Sequence, residues 1–317
     1  MKATFQAFCA ILLTGLIGCA KDSSALKVSH TPWPGYEIIK MATQNKYINN
    51  IEIVEFEDQA DPPRAFSRGT IDIAQATGIE IANICRTTPK RCPVIILVID
   101  QSTGGDQILS INSRSINDLK GKKIGVTTDT FGTYVLFQAL KNSGITIDDV
   151  SLRPMPLEKM PNALGAGEVD AIVTYPPSSE TARDFGAKTI YNSSTMPEAV
   201  LDYLIVSPEV YSSRKKDLEL IVRGWLGFLK EFEANPNQHI DLVAEAEGIS
   251  KEEYASLLQG IKFYSNATDQ IALLSRDGLT SKNMSLVYDA GIEMGFVNPE
   301  TKKPIIGDEI IRRMAGS

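Results

Sequence analysis

The chain has 317 residues, 43% of them hydrophobic and 22% charged, with a formal net charge of -7. That balance belongs to a globular protein able to bury a real core and excludes disordered and membrane-embedded classes. The acidic surplus, with no cluster of Lys or Arg set against it, also excludes a phosphate backbone as partner, so no nucleic acid is expected.

In chain order, the first segment reads as an export signal. Lys2 supplies a positive start, and Phe5 to Ile17 is an apolar stretch shorter than the roughly 20 residues needed to span a bilayer. Leu16-Ile17-Gly18-Cys19 has the form of a lipobox, with a small residue where a signal peptidase needs one, and polar Lys21-Asp22-Ser23-Ser24 follows. Residues 1–18 are therefore expected to be a lipoprotein signal peptide, Cys19 the lipidation site and residues 19–25 a tether. This places the body on the periplasmic side of a bacterial membrane, inner or outer, since Ala20 after the cysteine does not decide between them. The competing reading is an ordinary secretory signal in which Cys19 is incidental.

Beyond the tether, strands and helices alternate. Leu26 to Ser29, Ile51 to Val54, Ile71 to Ala74 and Pro93 to Ile99 read as strands, with helical stretches near Tyr36 to Gln44, Pro62 to Arg68 and Glu80 to Ile84. The pattern restarts after the turn-rich segment Gln101 to Asp106. Strands follow around Leu109 and over Lys123 to Val126, Val150 to Arg153 and Ala171 to Thr174, with helices at Ser115 to Leu119, Thr133 to Lys141, Pro161 to Leu164 and from Ser179. This βαβα text predicts mostly parallel sheets in two α/β lobes. After Leu204-Ile205-Val206 the chain turns helical, with Leu218, Ile221, Val222, Trp225, Leu229 and Phe232 on one face and Asn235-Pro236 as a stop.

Export leaves Cys85 and Cys92 as a local pair in an oxidising compartment; a disulfide is expected, with two free thiols as the alternative. His30 and His239 lie far apart without partners at ligand spacing, so no metal is expected. No nucleophile elbow or phosphate-cradling loop is present, so neither an enzyme nor a cofactor is expected.

Several segments in order carry a resemblance: Trp33-Pro34-Gly35-Tyr36, Gly69-Thr70-Ile71-Asp72-Ile73-Ala74 with Thr77-Gly78, Asp100-Gln101-Ser102-Thr103-Gly104-Gly105-Asp106, Asp118 to Val126, and Gly165 to Ala171. From about Lys27 to Val206 the chain resembles the nitrate/sulfonate/taurine family of ABC-transporter substrate-binding proteins, which includes a thiamine-pyrimidine-precursor branch. The resemblance implies a two-lobed periplasmic binding protein of the Venus-flytrap kind (type II), with residues 26–107 and 204–317 in lobe 1 and residues 108–203 in lobe 2. The family's pyrimidine-synthase branch carries a cysteine- and histidine-rich iron site that this chain lacks.

Candidate ligand contacts follow from strand ends and from the resemblance. Thr77-Gly78 and Thr130 to Thr133 open helices after strands, so their N–H groups form either an anion site or ordinary N-caps. Trp33, Tyr36 and Tyr175 stand where an aromatic wall or plain packing belongs, and the resemblance favours the first for Trp33 and Tyr36. By family position Ser102, Gly105, Asp106 and Gln107 lie at the inter-lobe crossing. Asp202 precedes the returning strand, where it either pairs with a ligand amine or shapes a hinge. Thr174-Tyr175-Pro176-Pro177 departs from relatives that carry a tryptophan and a single proline there, which leaves the ligand open. The implied partners are a small organic or anionic solute and an ABC permease with its ATPase. The alternative is a membrane sensor kinase or cyclase that reads the closed form.

Overall fold

The structure, a computed structural model, describes residues 24–196, 200–247 and 249–316. The export signal, Cys19 and most of the tether lie outside the described residues. Among the described residues no helix is long and apolar enough to cross a membrane.

The first lobe opens with β1 (Leu26–His30), α1 (Glu37–Gln44), β2 (Ile51–Glu55), α2 (Asp61–Arg68), β3 (Ile73–Thr77), α3 (Gly78–Thr87) and β4 (Val94–Ser102). The second lobe holds β5 (Gln107–Ser110), β6 (Lys123–Val126), α4 (Phe131–Asn142), β7 (Ser151–Pro154), α5 (Met160–Gly165), β8 (Ala171–Thr174), α6 (Ser178–Asp184) and β9 (Lys188–Asn192). The chain then returns through β10 (Leu201–Val206), α7 (Pro208–Ser213), α8 (Lys215–Ala234), α9 (Pro236–Glu247), α10 (Lys251–Leu257) and β11 (Ile261–Phe263). It ends with α11 (Ala267–Leu273), α12 (Leu279–Glu293), β12 (Ile305–Ile306) and α13 (Glu309–Ala315).

Strand order is β11-β4-β10-β3-β1-β2 in one sheet, with β12 on β4, and β7-β6-β8-β5-β9 in the other. Every residue of β4 is buried, as befits a strand covered on both faces. The expectation of mostly parallel sheets needs correction. β1 pairs in parallel with β2 and β3, but β10 runs antiparallel to both β3 and β4, and β5 antiparallel to β8 and β9. The reason is the crossing itself: a strand arriving from the opposite lobe enters its sheet from the far end. Strand β3 also starts two residues later than its hydrophobic run, so that Thr77 rather than Ala74 ends it.

Two segments join the lobes, one between β4 and β5 and one between β9 and β10, and they are knitted together. Ser102 Oγ and Ser193 Oγ are 2.7 Å apart, the Gly104 N–H donates to Ser193 Oγ at 2.8 Å, and the Ser193 N–H donates to the Asp106 carbonyl at 2.9 Å. Cys85 and Cys92 form a disulfide with Cα atoms 4.2 Å apart, tying the end of α3 to the start of β4.

Helix α8 buries Leu218, Ile221, Val222, Trp225, Leu229 and Phe232, and its face passes α1 so closely that Gly224 is required. A Cβ there would stand 2.3 Å from the Tyr47 carbonyl oxygen, whereas one at Gly227 would meet only the half-exposed Tyr47 ring at 3.3 Å. Gly224→Ala is expected to destabilise by about 1–3 kcal/mol through overpacking. Gly227→Ala is expected to be neutral or to gain up to about 1 kcal/mol of helix propensity. Urea midpoints of the two variants check this, and equal midpoints would contradict the packing described.

Candidate ligand-binding site between the lobes

One rung of the first sheet prepares the site. Thr77 at the end of β3 pairs with Asp202 at the start of β10, and Asp202 pairs in turn with Asp100 near the end of β4. Three polar side chains thus stand side by side at the carboxyl ends of β3 and β4, where open α/β sheets hold ligands. The turn after β1 places aromatic groups on this rung. Trp33 Nε1 donates to Asp100 Oδ2 at 3.1 Å, and the Tyr36 hydroxyl donates to Asp202 Oδ1 in a short hydrogen bond. Such close approach needs Gly35 and Gly105, because a Cβ on Gly35 would sit 1.9 Å from Asp100 Oδ2 and one on Gly105 2.7 Å from Trp33 Cη2.

The second lobe supplies the opposite wall. Tyr175 meets Trp33 edge to face with ring centroids 5.4 Å apart, and Phe131 at the start of α4 meets Tyr175 at 5.2 Å. Such a pair contributes about 0.5–1.5 kcal/mol beyond burial, and the Trp33–Tyr175 pair is the one that bridges the lobes here. Trp33, Gln59, Thr77, Asp106, Phe131, Tyr175, Val200 and Asp202 enclose a cavity of about 10 Å³, the space of about one water. A solute larger than this enters only when the lobes part.

Of the residues singled out from sequence, Trp33, Thr77, Asp106, Tyr175 and Asp202 line this cavity, and Tyr36 lies behind it on Asp202. Ser102 and Gly105 belong to the crossing, where Ser102 Oγ accepts from the Asp106 N–H at 3.2 Å. Gln107 opens β5 and accepts from Arg183, away from the cavity. Gly78 packs against Met284 and Asn283 of α12 instead. Thr130 caps α4 and donates to the Thr127 carbonyl, while Thr133 lines a separate, larger groove of about 460 Å³ between Ile79, Met294 and Phe296 of the first lobe and Ile147 and Leu152 of the second. Asp100, Phe131, Gln59 and Glu80 are additions. Asp100 carried a signal: it is a carboxylate directly after the apolar run Val94 to Ile99.

The two helix N-termini turn out to serve local caps. The Thr77 N–H donates to Glu80 Oε2 at 2.8 Å, so the first turn of α3 is satisfied by the chain's own carboxylate. At α4, Thr130 Oγ1 accepts from the Gly132 N–H at 3.4 Å.

Electrostatically the site is a desolvated cluster of acids. Burial pushes Glu80 up to about 8, against the opposing hydrogen bonds of the Thr77 and Phe131 backbones. Burial likewise pushes Asp106 up to about 7, opposed by Ser102. Asp100 and Asp202 are both raised, chiefly by burial, and Asp100 rises further because it also faces the Asp202 charge. No Lys, Arg or His lines the cavity to offset them. His30 is engaged with Glu37 and Glu55, and His239 meets Phe228 edge to face.

A pH signature follows. Glu80 and Asp106 hold protons in the folded state that the unfolded chain releases near 4, so their stabilisation is full below that and is lost as pH rises through about 7 and 8. Each fully shifted group contributes a slope of about 1.4 kcal/mol per pH unit within that window. Urea unfolding between pH 5 and 8 is expected to show stability falling with pH, and Asp106→Asn is expected to flatten the fall. An unchanged slope in that variant would remove Asp106 from the account.

Comparisons with known proteins agree with this architecture. Residues 50–215 match the family model described as NMT1/THI5 like. A protein of Brachyspira hyodysenteriae named as an ABC transporter periplasmic binding protein is 23% identical over 237 residues, covering 68% of this chain and 67% of that one. The alkanesulfonate-binding protein SsuA from Xanthomonas axonopodis pv. citri, bound to MOPS, superposes with a TM-score of 0.73 at 16% identity over 88% of this chain and 96% of its own. The ligand-binding component of an ABC-type import system from Staphylococcus aureus, with zinc bound, gives 0.75 at 16% identity over 93% and 100%. The chain belongs to the NMT1/THI5-like family and has the two-lobed fold of the periplasmic binding proteins.

Proposed function

We propose that this protein is the solute-binding component of an ABC importer, which captures a small organic solute between its lobes and delivers it to a permease. The observation that carries this is convergence. Trp33 and Thr77 from the first lobe, Phe131 and Tyr175 from the second, and Asp106 and Asp202 from the two crossings all line one buried cavity. Groups drawn from both lobes and from both connections touch a common ligand only when the lobes are shut, so ligand contact favours the closed form by differential affinity. The names of the Brachyspira, Xanthomonas and Staphylococcus proteins support the same role. The bodies expected from sequence, residues 26–107 with 204–317 and 108–203, are adjusted at their edges, because Gln107 opens β5 of the second sheet and Leu201 to Tyr203 open β10 of the first.

Binding rather than catalysis suits the chemistry present. The described cysteines are spent in a disulfide, and both histidines stand outside the cavity lining. The lipobox supports a lipid anchor at Cys19 that holds the receptor beside its membrane partner.

A thermal-shift screen of small organic solutes tests capture. A true ligand at a hundred times its Kd is expected to add about 2.7 kcal/mol of stability, and Trp33→Ala or Tyr175→Ala is expected to abolish the gain. Small-angle scattering should show contraction on binding. A flat screen, or a gain that survives in both variants, would sink the assigned cleft. For the anchor, labelled palmitate is expected to enter the wild type and not Cys19→Ala, and equal labelling of the two would refute it.

A further inference from the structure

Three features outside the reading above invite a function. The groove of about 460 Å³ mixes apolar Ile79, Leu152, Met294 and Phe296 with polar Thr128, Asp129, Thr133 and Asp148, and nothing in the structure says what occupies it. Arg64, Arg68 and Arg86 border a second groove of about 360 Å³, yet Arg64 pairs with Asp61 and Arg86 with Asn83. The polar atoms of the closed cavity carry more.

Their carboxyl oxygens lack donors, although the Thr77 hydroxyl also stands there unpartnered. Asp106 Oδ2 lines the cavity and is buried without a hydrogen-bond partner, and Asp100 Oδ1, beside Asp202 on the neighbouring strand, is likewise unpartnered, in residues no more than 3% exposed. The nearby Trp33 N–H and Tyr36 O–H are spent on Asp100 and Asp202. The Thr77 N–H, which an anion at the start of α3 would need, is taken by Glu80. An unpaired buried acceptor costs free energy until a donor reaches it, and a carboxylate gains most from a cationic donor. The walls agree, since the faces and edges of Trp33, Tyr175 and Phe131 surround the same space and aromatic faces attract cations. A metal fits poorly: among the described residues no three His, Cys, Asp or Glu side chains are arranged to hold one.

Resting on the solute-capture reading, we infer that the ligand is a small organic cation, an amine, amidine or quaternary ammonium compound, held by Asp106 together with Asp202 inside the Trp33, Phe131 and Tyr175 walls. A sulfonate, the ligand class named for the Xanthomonas neighbour, would need these carboxyls to stay protonated and would find the Thr77 N–H already taken by Glu80. The raised affinities of Asp106 and Glu80 for protons add a linkage: entry of a cation drives protons off the cluster formed by Asp100, Asp106, Asp202 and Glu80, beside Tyr36 and Tyr175.

Calorimetry on the full chain with paired probes of similar shape and opposite charge tests this. Ethylamine is set against ethanesulfonate and benzamidine against benzenesulfonate, with choline and zinc alone as further arms. The organic cations are expected to bind, more tightly as pH rises from 6 to 8, and to release protons, seen as a heat that changes with buffer ionisation enthalpy. Asp106→Asn is expected to weaken their binding by about tenfold to a hundredfold. The proton-release readout needs no variant and so stands even if Asp106→Asn folds poorly. Binding of the sulfonates without the amines would overturn the cation assignment and leave solute capture standing. Binding of zinc alone, or silence from every organic cation, would overturn the assignment as well, and capture is then judged by the broad solute screen.

Discussion

Asp100 and Asp202 face each other across the pairing of β4 with β10, the strands that carry the chain out of the first lobe and back into it. Two carboxyl groups buried at adjacent positions cannot both be charged at little cost, so one keeps a proton or both find a partner. Much of the site answers that constraint. The Trp33 indole and the Tyr36 hydroxyl are turned onto the pair, Gly35 is bare so that Asp100 can pass, and Gly105 is bare beneath the Trp33 ring. The same indole also meets Tyr175 of the opposite lobe, so one side chain touches both the acids and the far wall.

How much of this was legible depended on the physics behind each residue. Buried strands such as β1 and β8 announce themselves because β-branched and aliphatic runs have few other uses, and α8 does so through its periodic face. Strand β9 escaped notice: Lys188-Thr189-Ile190-Tyr191-Asn192 is a half-exposed edge strand, with little apolar pressure to mark it. The antiparallel return of β10 was hidden because direction within a sheet is a property of the crossing, which no local pattern encodes.

The site was legible as aromatic and acidic residues at strand ends, but their grouping was not. Trp33 and Tyr175 lie in different lobes, and nothing in sequence spacing brings their rings together. Glu80 read as an ordinary helical residue, although Thr77-x-x-Glu80 has the form of a capping box whose carboxylate fills the place offered to an anion. Thr130 and Thr133 were drawn to the cleft by the same logic of helix starts, and their hydroxyls are used on the Thr127 carbonyl instead.

The position of β10 between β3 and β4 bears on the order in which the molecule can be made. The second sheet is drawn from one uninterrupted stretch of chain, whereas the centre of the first stays open until residues 201–206 arrive from far along the sequence. Closing so long a loop is entropically expensive and kinetically slow, so a growing chain completes its middle portion early and its beginning late. A polypeptide built this way leaves residues 26–102 without their locking strand for as long as residues 201–206 have not yet been translated.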